Sequence, residues 1–86
     1  RFASELGLSD EAKLRARQLL KNAKEKGVHS GKSPVGLAAA AVYAAALLTN
    51  EKTTQAAVSE VADISEVTIR NRYHELLEAE ESIGVA

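Results

Sequence analysis

Residues 33–48 read SPVGLAAAAVYAAALL and contain no charged side chain. A serine followed by proline is typical of a helix start, because the serine side chain accepts a backbone N–H and proline has none to leave unpaired. The rest of the run is apolar on every side. Such a helix is stable in water only when other helices surround it. We therefore predict a central helix that ends near Leu48.

A second helix is predicted before this run. Ser9 is a good N-cap, Asp10 and Glu11 suit the positive end of a helix dipole, and Gly27 supplies a left-handed stop. Apolar residues recur between them at spacings of three and four, which gives the helix one apolar face. These residues are Ala12, Ala16, Leu19, Leu20 and Ala23.

Two further helices are predicted after the central one. Thr54 caps a short helix through Ala62, with Val58 and Val61 facing inward, and Ser65 caps the last helix. The apolar face of the last helix consists of Ile69, Tyr73, Leu76 and Leu77, and the residues from 80 to 86 are expected to fray. Residues 1–7 read as a short first helix cut off by the start of the chain.

The fold class is predicted to be all-α, with five helices in one domain over residues 1–86. A chain of 86 residues can bury only one modest core. Aromatic residues make up 3% of it, and strand-forming residues never alternate at period two over a useful length. Alanine, leucine, glutamate and lysine dominate, which favours helices.

Several classes of function are disfavoured. With no cysteine, the chain has neither disulfides nor thiolate metal sites, and its two histidines, His29 and His74, are far apart without a metal-ligand pattern. We find no catalytic residues and expect no enzyme. The apolar run is shorter than the ~20 residues that span a bilayer, so no membrane association is expected.

The net charge of −1 conceals an uneven distribution. Residues 13–32 carry seven basic side chains against Glu25 alone, whereas the chain from Glu60 onward carries seven acids against Arg70 and Arg72. Such a chain is expected to bind DNA only weakly on its own. The basic surface around Lys21, Lys24 and Lys26 is open to three interpretations: contact with the DNA backbone, contact with a protein, or a solvated helix face.

Residues 54–72 read TQAAVSEVADISEVTIRNR and match the pattern of a helix-turn-helix, which we place at 54–79. Ser59 is small enough for a crossing helix, and Ile64 fills the core from the turn. Asp63 stands where glycine is usual, because the turn tends to be left-handed there. The alternative is a pair of core helices joined by a capped turn.

The candidate base-contacting residues lie in the first turns of the last helix, where recognition helices read bases. They are Glu66, Val67, Arg70 and Asn71. Arg70 can grip guanine through two hydrogen bonds, and Val67 can touch a thymine methyl. The alternative for Arg70 is an ion pair with Glu66, four residues earlier.

Six further residues are candidates for phosphate contacts. Two pairs stand at predicted helix starts, where backbone N–H groups bind anions, and two residues lie farther along the last helix. They are Thr54, Gln55, Lys32, Ser33, Arg72 and His74.

Three stretches make the chain resemble the second cyclin-like repeat of archaeal transcription factor B, the counterpart of the eukaryotic general factor called transcription factor two-B. They are RFASELGLS at 1–9, GKSPVGLAAAAVYAAALL at 31–48 and VADISEVTIRNRYHELLE at 61–78. The resemblance implies a five-helix cyclin box. It also implies that Val67 and Arg70 contact bases of the B recognition element beside the TATA box. Asp63, and Ala57 where an acid often supports the Thr54 cap, depart from the family pattern.

The resemblance further implies that the factor acts together with TATA-binding protein and RNA polymerase. It is expected in the archaeal cytoplasm, at the nucleoid. A zinc ribbon and a first repeat are expected elsewhere in the full-length factor, so no cofactor is expected in this domain, and the fragment is expected to be monomeric. The alternative function is a cyclin-box module for protein–protein interaction that does not read bases.

Overall fold

The computed structural model describes residues 5–27, 31 and 33–85, with side chains as far as residue 79. These residues form four helices and no strand: α1 (Asp10–Glu25), α2 (Pro34–Leu48), α3 (Gln55–Ala62) and α4 (Glu66–Val85). The all-α prediction is therefore confirmed. The helix predicted over residues 1–7 lies mostly outside the described residues.

Helix α1 begins and ends as its sequence predicts. The Ser9 side chain accepts a hydrogen bond from the backbone N–H of Ala12 at 3.2 Å. Gly27, with φ +73°, follows the last turn in the left-handed region that glycine adopts without strain. Of the five residues predicted on the apolar face, Ala12, Ala16, Leu19 and Ala23 are buried, and Leu20 is partly buried.

Helix α2 is the centre of the molecule, as predicted. Nine of its fifteen residues are buried, and the other three helices all pack against it. Its alanines allow close approach, and Ala39, Ala40 and Ala41 have no exposed surface. Val35, Leu47 and Leu48, near the ends of the helix, are exposed. Ala38 and Tyr43 are partly buried.

The core has two parts, one on each side of α2. The larger part joins α1 to α2 and α4, with Leu19 and Leu76 as its largest fully buried side chains. The smaller part joins α3 to α2 and α4, and is built from Ala39, Val58, Ala62 and Ile69. Helices α1 and α3 thus each pack against both α2 and α4.

Contacts at the helix ends fix the relative directions of the helices. The start of α1 is bonded to Glu51, just beyond the end of α2, so α1 runs opposite to α2. The start of α4 lies beside the start of α2, because Thr68 approaches Gly36. We call the end of the bundle with the starts of α2 and α4 the Ser33 end, and the opposite one the Glu51 end.

The last helix is longer than predicted. It continues to Val85, so the expectation that residues 80–86 fray is wrong for residues 80–85. The acids of this segment suggested a solvated, frayed end. However, glutamate and alanine have high helix propensity, and no glycine or proline interrupts the helix before Gly84.

Gly36 offers a site for stabilisation. A β-carbon there would lie 3.5 Å from Thr68 Cγ2, which is ordinary van der Waals contact. Because alanine loses less backbone entropy than glycine in a helix, Gly36→Ala is expected to raise the free energy of unfolding by about 0.5–1 kcal/mol. Urea unfolding followed by circular dichroism measures this change. A destabilised variant would show that α2 and α4 cannot accommodate the added methyl.

The Glu51 carboxylate ties the start of α1 to the segment after α2. It accepts hydrogen bonds from the Ser9 hydroxyl at 2.6 Å, the Thr49 hydroxyl at 2.7 Å and the Ser9 backbone N–H at 2.8 Å. These hydrogen bonds, first that of the Ser9 hydroxyl, lower the pKa of Glu51 below its ordinary value. The ionised form is therefore the one that stabilises the fold.

This pKa shift predicts a pH-dependent effect of Glu51→Gln. A carboxyl whose pKa is lowered on folding stabilises the protein above its unfolded pKa, and this stabilisation is lost as the pH falls through the folded value. The variant should therefore melt at a lower temperature than the wild type at pH 7. The difference between the two melting temperatures should narrow below about pH 4. Lys52→Gln serves as the control, because it changes a neighbouring charge outside these bonds. A difference in melting temperature that stays constant with pH would contradict the prediction.

Candidate nucleic-acid interface

The turn between α3 and α4 is fixed by local geometry. Asp63 has φ 57° and ψ 45°, which confirms the left-handed conformation predicted for this position. The Ser59 hydroxyl donates a hydrogen bond to the Ile64 carbonyl at 2.5 Å, and the Ile64 N–H donates to the Ser59 carbonyl at 3.3 Å. Ile64 packs against the smaller part of the core. The angle at which α4 leaves the turn is therefore held by both backbone and side chain.

Sequence reasoning gave Ser59 only a steric role and missed its hydrogen bond to the turn. The sequence signal for this bond is the position of Ser59, whose hydroxyl precedes the turn residue Ile64 by five residues. The predicted cap on α4 is confirmed: Ser65 Oγ accepts from the Thr68 N–H at 3.2 Å and donates to Thr68 Oγ1 at 2.9 Å. The residue before α4 is thereby bonded twice to Thr68 in the first turn of the helix.

The inward face of α4 agrees with the prediction. Ile69 and Leu76 are fully buried, and the ring of Tyr73 meets that of Tyr43 edge-on, with 5.3 Å between the ring centroids. Because these contacts fix which side of α4 faces the core, they also fix the direction of the other side chains between Ile69 and Leu76. Of these, Arg70, Asn71 and His74 are exposed and point away from the core, whereas Arg72 and Glu75 are partly buried.

The four predicted base-contacting residues lie together on the exposed side of α4. Val67 is 55% exposed, which is unusual for a valine, and Glu66, Arg70 and Asn71 are exposed as well. The ion pair considered between Arg70 and Glu66 is absent from the described part of the chain. The guanidinium of Arg70 is therefore available to a ligand.

Arg72 and His74 differ in their surroundings. Arg72 is partly buried, and its Nε lies 2.7 Å from Glu75 Oε1, so its charge is largely balanced within α4. The His74 side chain is exposed, with its ring centroid 5.1 Å from that of Tyr73. The surroundings of His74 suit a phosphate contact better than those of Arg72.

The other phosphate candidates lie at helix starts. Thr54 caps α3 by accepting from the Ala57 N–H at 3.0 Å, with Gln55 next to it, about 12 Å of helix away from the turn. Ser33 caps α2 beside the first turns of α4. Lys32 lies outside the described residues. The structure thus places Ser33 near the first turns of α4, and Thr54 and Gln55 at the far end of α3 from the turn.

Two other kinds of site are not seen in the described residues. None of their His, Asp and Glu side chains form a group of three or more able to hold a metal ion. None of their helices combines the length and apolar content needed to cross a bilayer.

Comparison with known proteins identifies the family. The family model described as "Transcription factor TFIIB repeat" matches residues 1–79. Transcription initiation factor IIB 6 of Halobacterium salinarum is 88% identical over 85 residues, covering 99% of this chain and 27% of that protein. Transcription initiation factor IIB of Haloarcula vallismortis is 58% identical over 79 residues, covering 92% of this chain and 69% of that protein.

A more distant relative extends the likeness. Transcription initiation factor IIB of Pyrococcus abyssi is 56% identical over 78 residues, covering 91% of this chain and 26% of that protein. The chain spans about a quarter of the length of most of these relatives. Their names are those of transcription factors and not of enzymes, in agreement with the expectation that this chain is not an enzyme. The chain belongs to the transcription factor TFIIB repeat family.

Proposed function

We propose that this chain is a promoter-reading repeat of a general transcription initiation factor, and that α3 and α4 form a helix-turn-helix whose second helix enters the DNA major groove. The observation that carries the proposal is the exposed face formed by Val67, Arg70 and Asn71, near a helix start that Ser65 caps. An arginine, an amide and an apolar side chain are the groups that distinguish base pairs in that groove.

The dimensions of the helix pair support this proposal. The major groove is about 12 Å wide, and α3 separates Thr54 from the turn by about the same distance. With α4 in the groove, the start of α3 can therefore lie over a bordering backbone. There the Thr54 hydroxyl and nearby backbone N–H groups can donate to phosphate. Ser33, Lys32, Gln55, Arg72 and His74 are the remaining proposed backbone contacts.

The likeness to transcription initiation factors gives the biological setting. We propose that the bases read are those of the B recognition element beside the TATA box. The chain would bind there together with TATA-binding protein and support recruitment of RNA polymerase in the archaeal cytoplasm. We also propose that it is the second cyclin-like repeat of the full-length factor, and that the helix predicted from the sequence over residues 1–7 is the first of the repeat.

A gel-shift experiment tests this function. Two promoter duplexes, one with the intact upstream element and one with that element scrambled, are titrated with and without TATA-binding protein. We expect tighter binding to the intact duplex, with the preference strengthened by TATA-binding protein. Equal affinity for both duplexes under both conditions would favour a module for protein–protein interaction.

A further inference from the structure

Helix α1 carries an exposed row of cations on the side away from the core. Arg17, Lys21 and Lys24 line one shallow, open cleft of about 270 Å³, with Leu20 at its floor. Spacings of four and three residues place the three side chains within an arc of about 60° and along roughly 10 Å of helix. We call these three residues the α1 ridge.

The α1 ridge has one acid near it in sequence, Glu25, against its three cations. Within the described residues, Arg17, Lys21 and Lys24 form no ion pair, whereas Lys13 on the same helix lies 3.8 Å from Asp10. The chain as a whole has a net charge of −1, so the ridge is a local concentration of positive charge. A surface of this kind attracts a polyanion.

One end of the α1 ridge lies at the same end of the bundle as the first turns of α4. The Ser9–Glu51 bonds hold the start of α1 at the Glu51 end of the bundle. Because α1 runs opposite to α2, its last turn with Lys24 lies toward the Ser33 end. The first turns of α4 lie at that same end.

We infer that the α1 ridge binds the phosphate backbone of the DNA that α4 reads, outside the groove that α4 occupies. This inference rests on the proposed function. Phosphate suits the ridge better than a protein partner does, because protein interfaces centre on well-packed pockets for large side chains. Here the cleft is open, and its apolar floor, Leu20, is already packed against the core. Contact with the phosphate backbone of DNA requires only a row of cations that are not already paired with acids.

The test measures the salt dependence of binding. The 86-residue chain and its Lys21→Gln/Lys24→Gln variant are titrated against fluorescent duplexes with intact and scrambled elements, at several salt concentrations. Each lost phosphate contact lowers the slope of log affinity against log salt by about 0.9. We expect the double variant to lose about 2 from that slope and to weaken equally on both duplexes. Circular dichroism verifies that the variants are folded.

Two control variants define the outcomes. Lys13→Gln removes one cation from the same helix outside the ridge and should leave the slope unchanged, and Lys21→Arg should retain wild-type binding. If Lys13→Gln lowers the slope by half as much as the double variant does, bulk charge is responsible and the inference is overturned. If the double variant keeps the full slope while the wild type still prefers the intact duplex, the proposed function stands and the ridge belongs to a protein partner or to solvent. If the wild type has no preference but the ridge variant loses slope, only the proposed function fails.

Discussion

Replacing Ile69 by alanine is expected to lower the free energy of unfolding by about 2–5 kcal/mol. Ile69 has no exposed surface and packs with Ala39, Val58 and Ala62, so it joins α4 to both α2 and α3. Truncation removes three buried carbons and leaves a cavity. The neighbouring alanines are too small to fill it. Since domains of this size are stable by only about 5–15 kcal/mol, a large share of the stability should be lost.

Urea unfolding measures this loss, and Val67→Ala is the matched control. Val67 is two residues away on the same helix but points outward, so its truncation should change stability by less than about 0.5 kcal/mol. The midpoint of the Ile69→Ala transition should fall without a change in slope. A loss below about 1 kcal/mol, or an equal loss in the control, would contradict the role assigned to Ile69.

The parts of the fold that the sequence predicted are those with a local or periodic cause. The unbroken apolar run of α2 predicts a central helix, because such a helix must be covered by others. Ser9 and Thr54 predict helix starts, because capping involves backbone groups only two or three residues away. Spacings of three and four residues predict the inward face of α4. All of these are confirmed.

The parts that could not be predicted depend on residues far apart in sequence or on small differences in environment. The Ser9–Glu51 bond joins residues 42 positions apart, and no periodic pattern indicates it. The choice of ion pair on α4 is a second example. Arg72 and Glu75 are partly buried and form a pair, whereas Arg70 and Glu66 are exposed, where a pair gains only about 0–1 kcal/mol.

The sequence predicted where the candidate site lies on α4, but it could not establish whether the side chains there bind bases. A helical projection with Ile69, Tyr73 and Leu76 inward predicts that Val67 and Asn71 point outward and that Arg70 lies on a flank. The same projection cannot tell whether the exposed side chains bind bases, because every helix on a surface has an outward face. The base contacts therefore stay predictions, and a substitution at Arg70 is the most direct way to test them.

Arg70→Ala is expected to reduce discrimination between the intact element and a variant at one base pair by about 1–3 kcal/mol, which corresponds to roughly a 5- to 150-fold loss. An arginine that bonds guanine through two atoms recognises that base, and alanine cannot. Because Arg70 is exposed and has no ion pair with Glu66 in the described structure, the change should leave folding intact. The effect on binding is then separable from stability.

The measurement compares wild type and Arg70→Ala on a set of duplexes, each changed at one position of the element, together with a scrambled duplex. We expect affinity to fall on the intact element and to change little on the duplex that already lacks the recognised base. Arg70→Lys supplies a matched control, because it keeps the charge but loses the two-pronged geometry, and it should recover only part of the discrimination. If alanine instead weakens all duplexes equally and lysine restores them, Arg70 contacts phosphate, because only charge would then matter. Base reading by α4 would in that case have to depend on Val67, Asn71 and Glu66 alone.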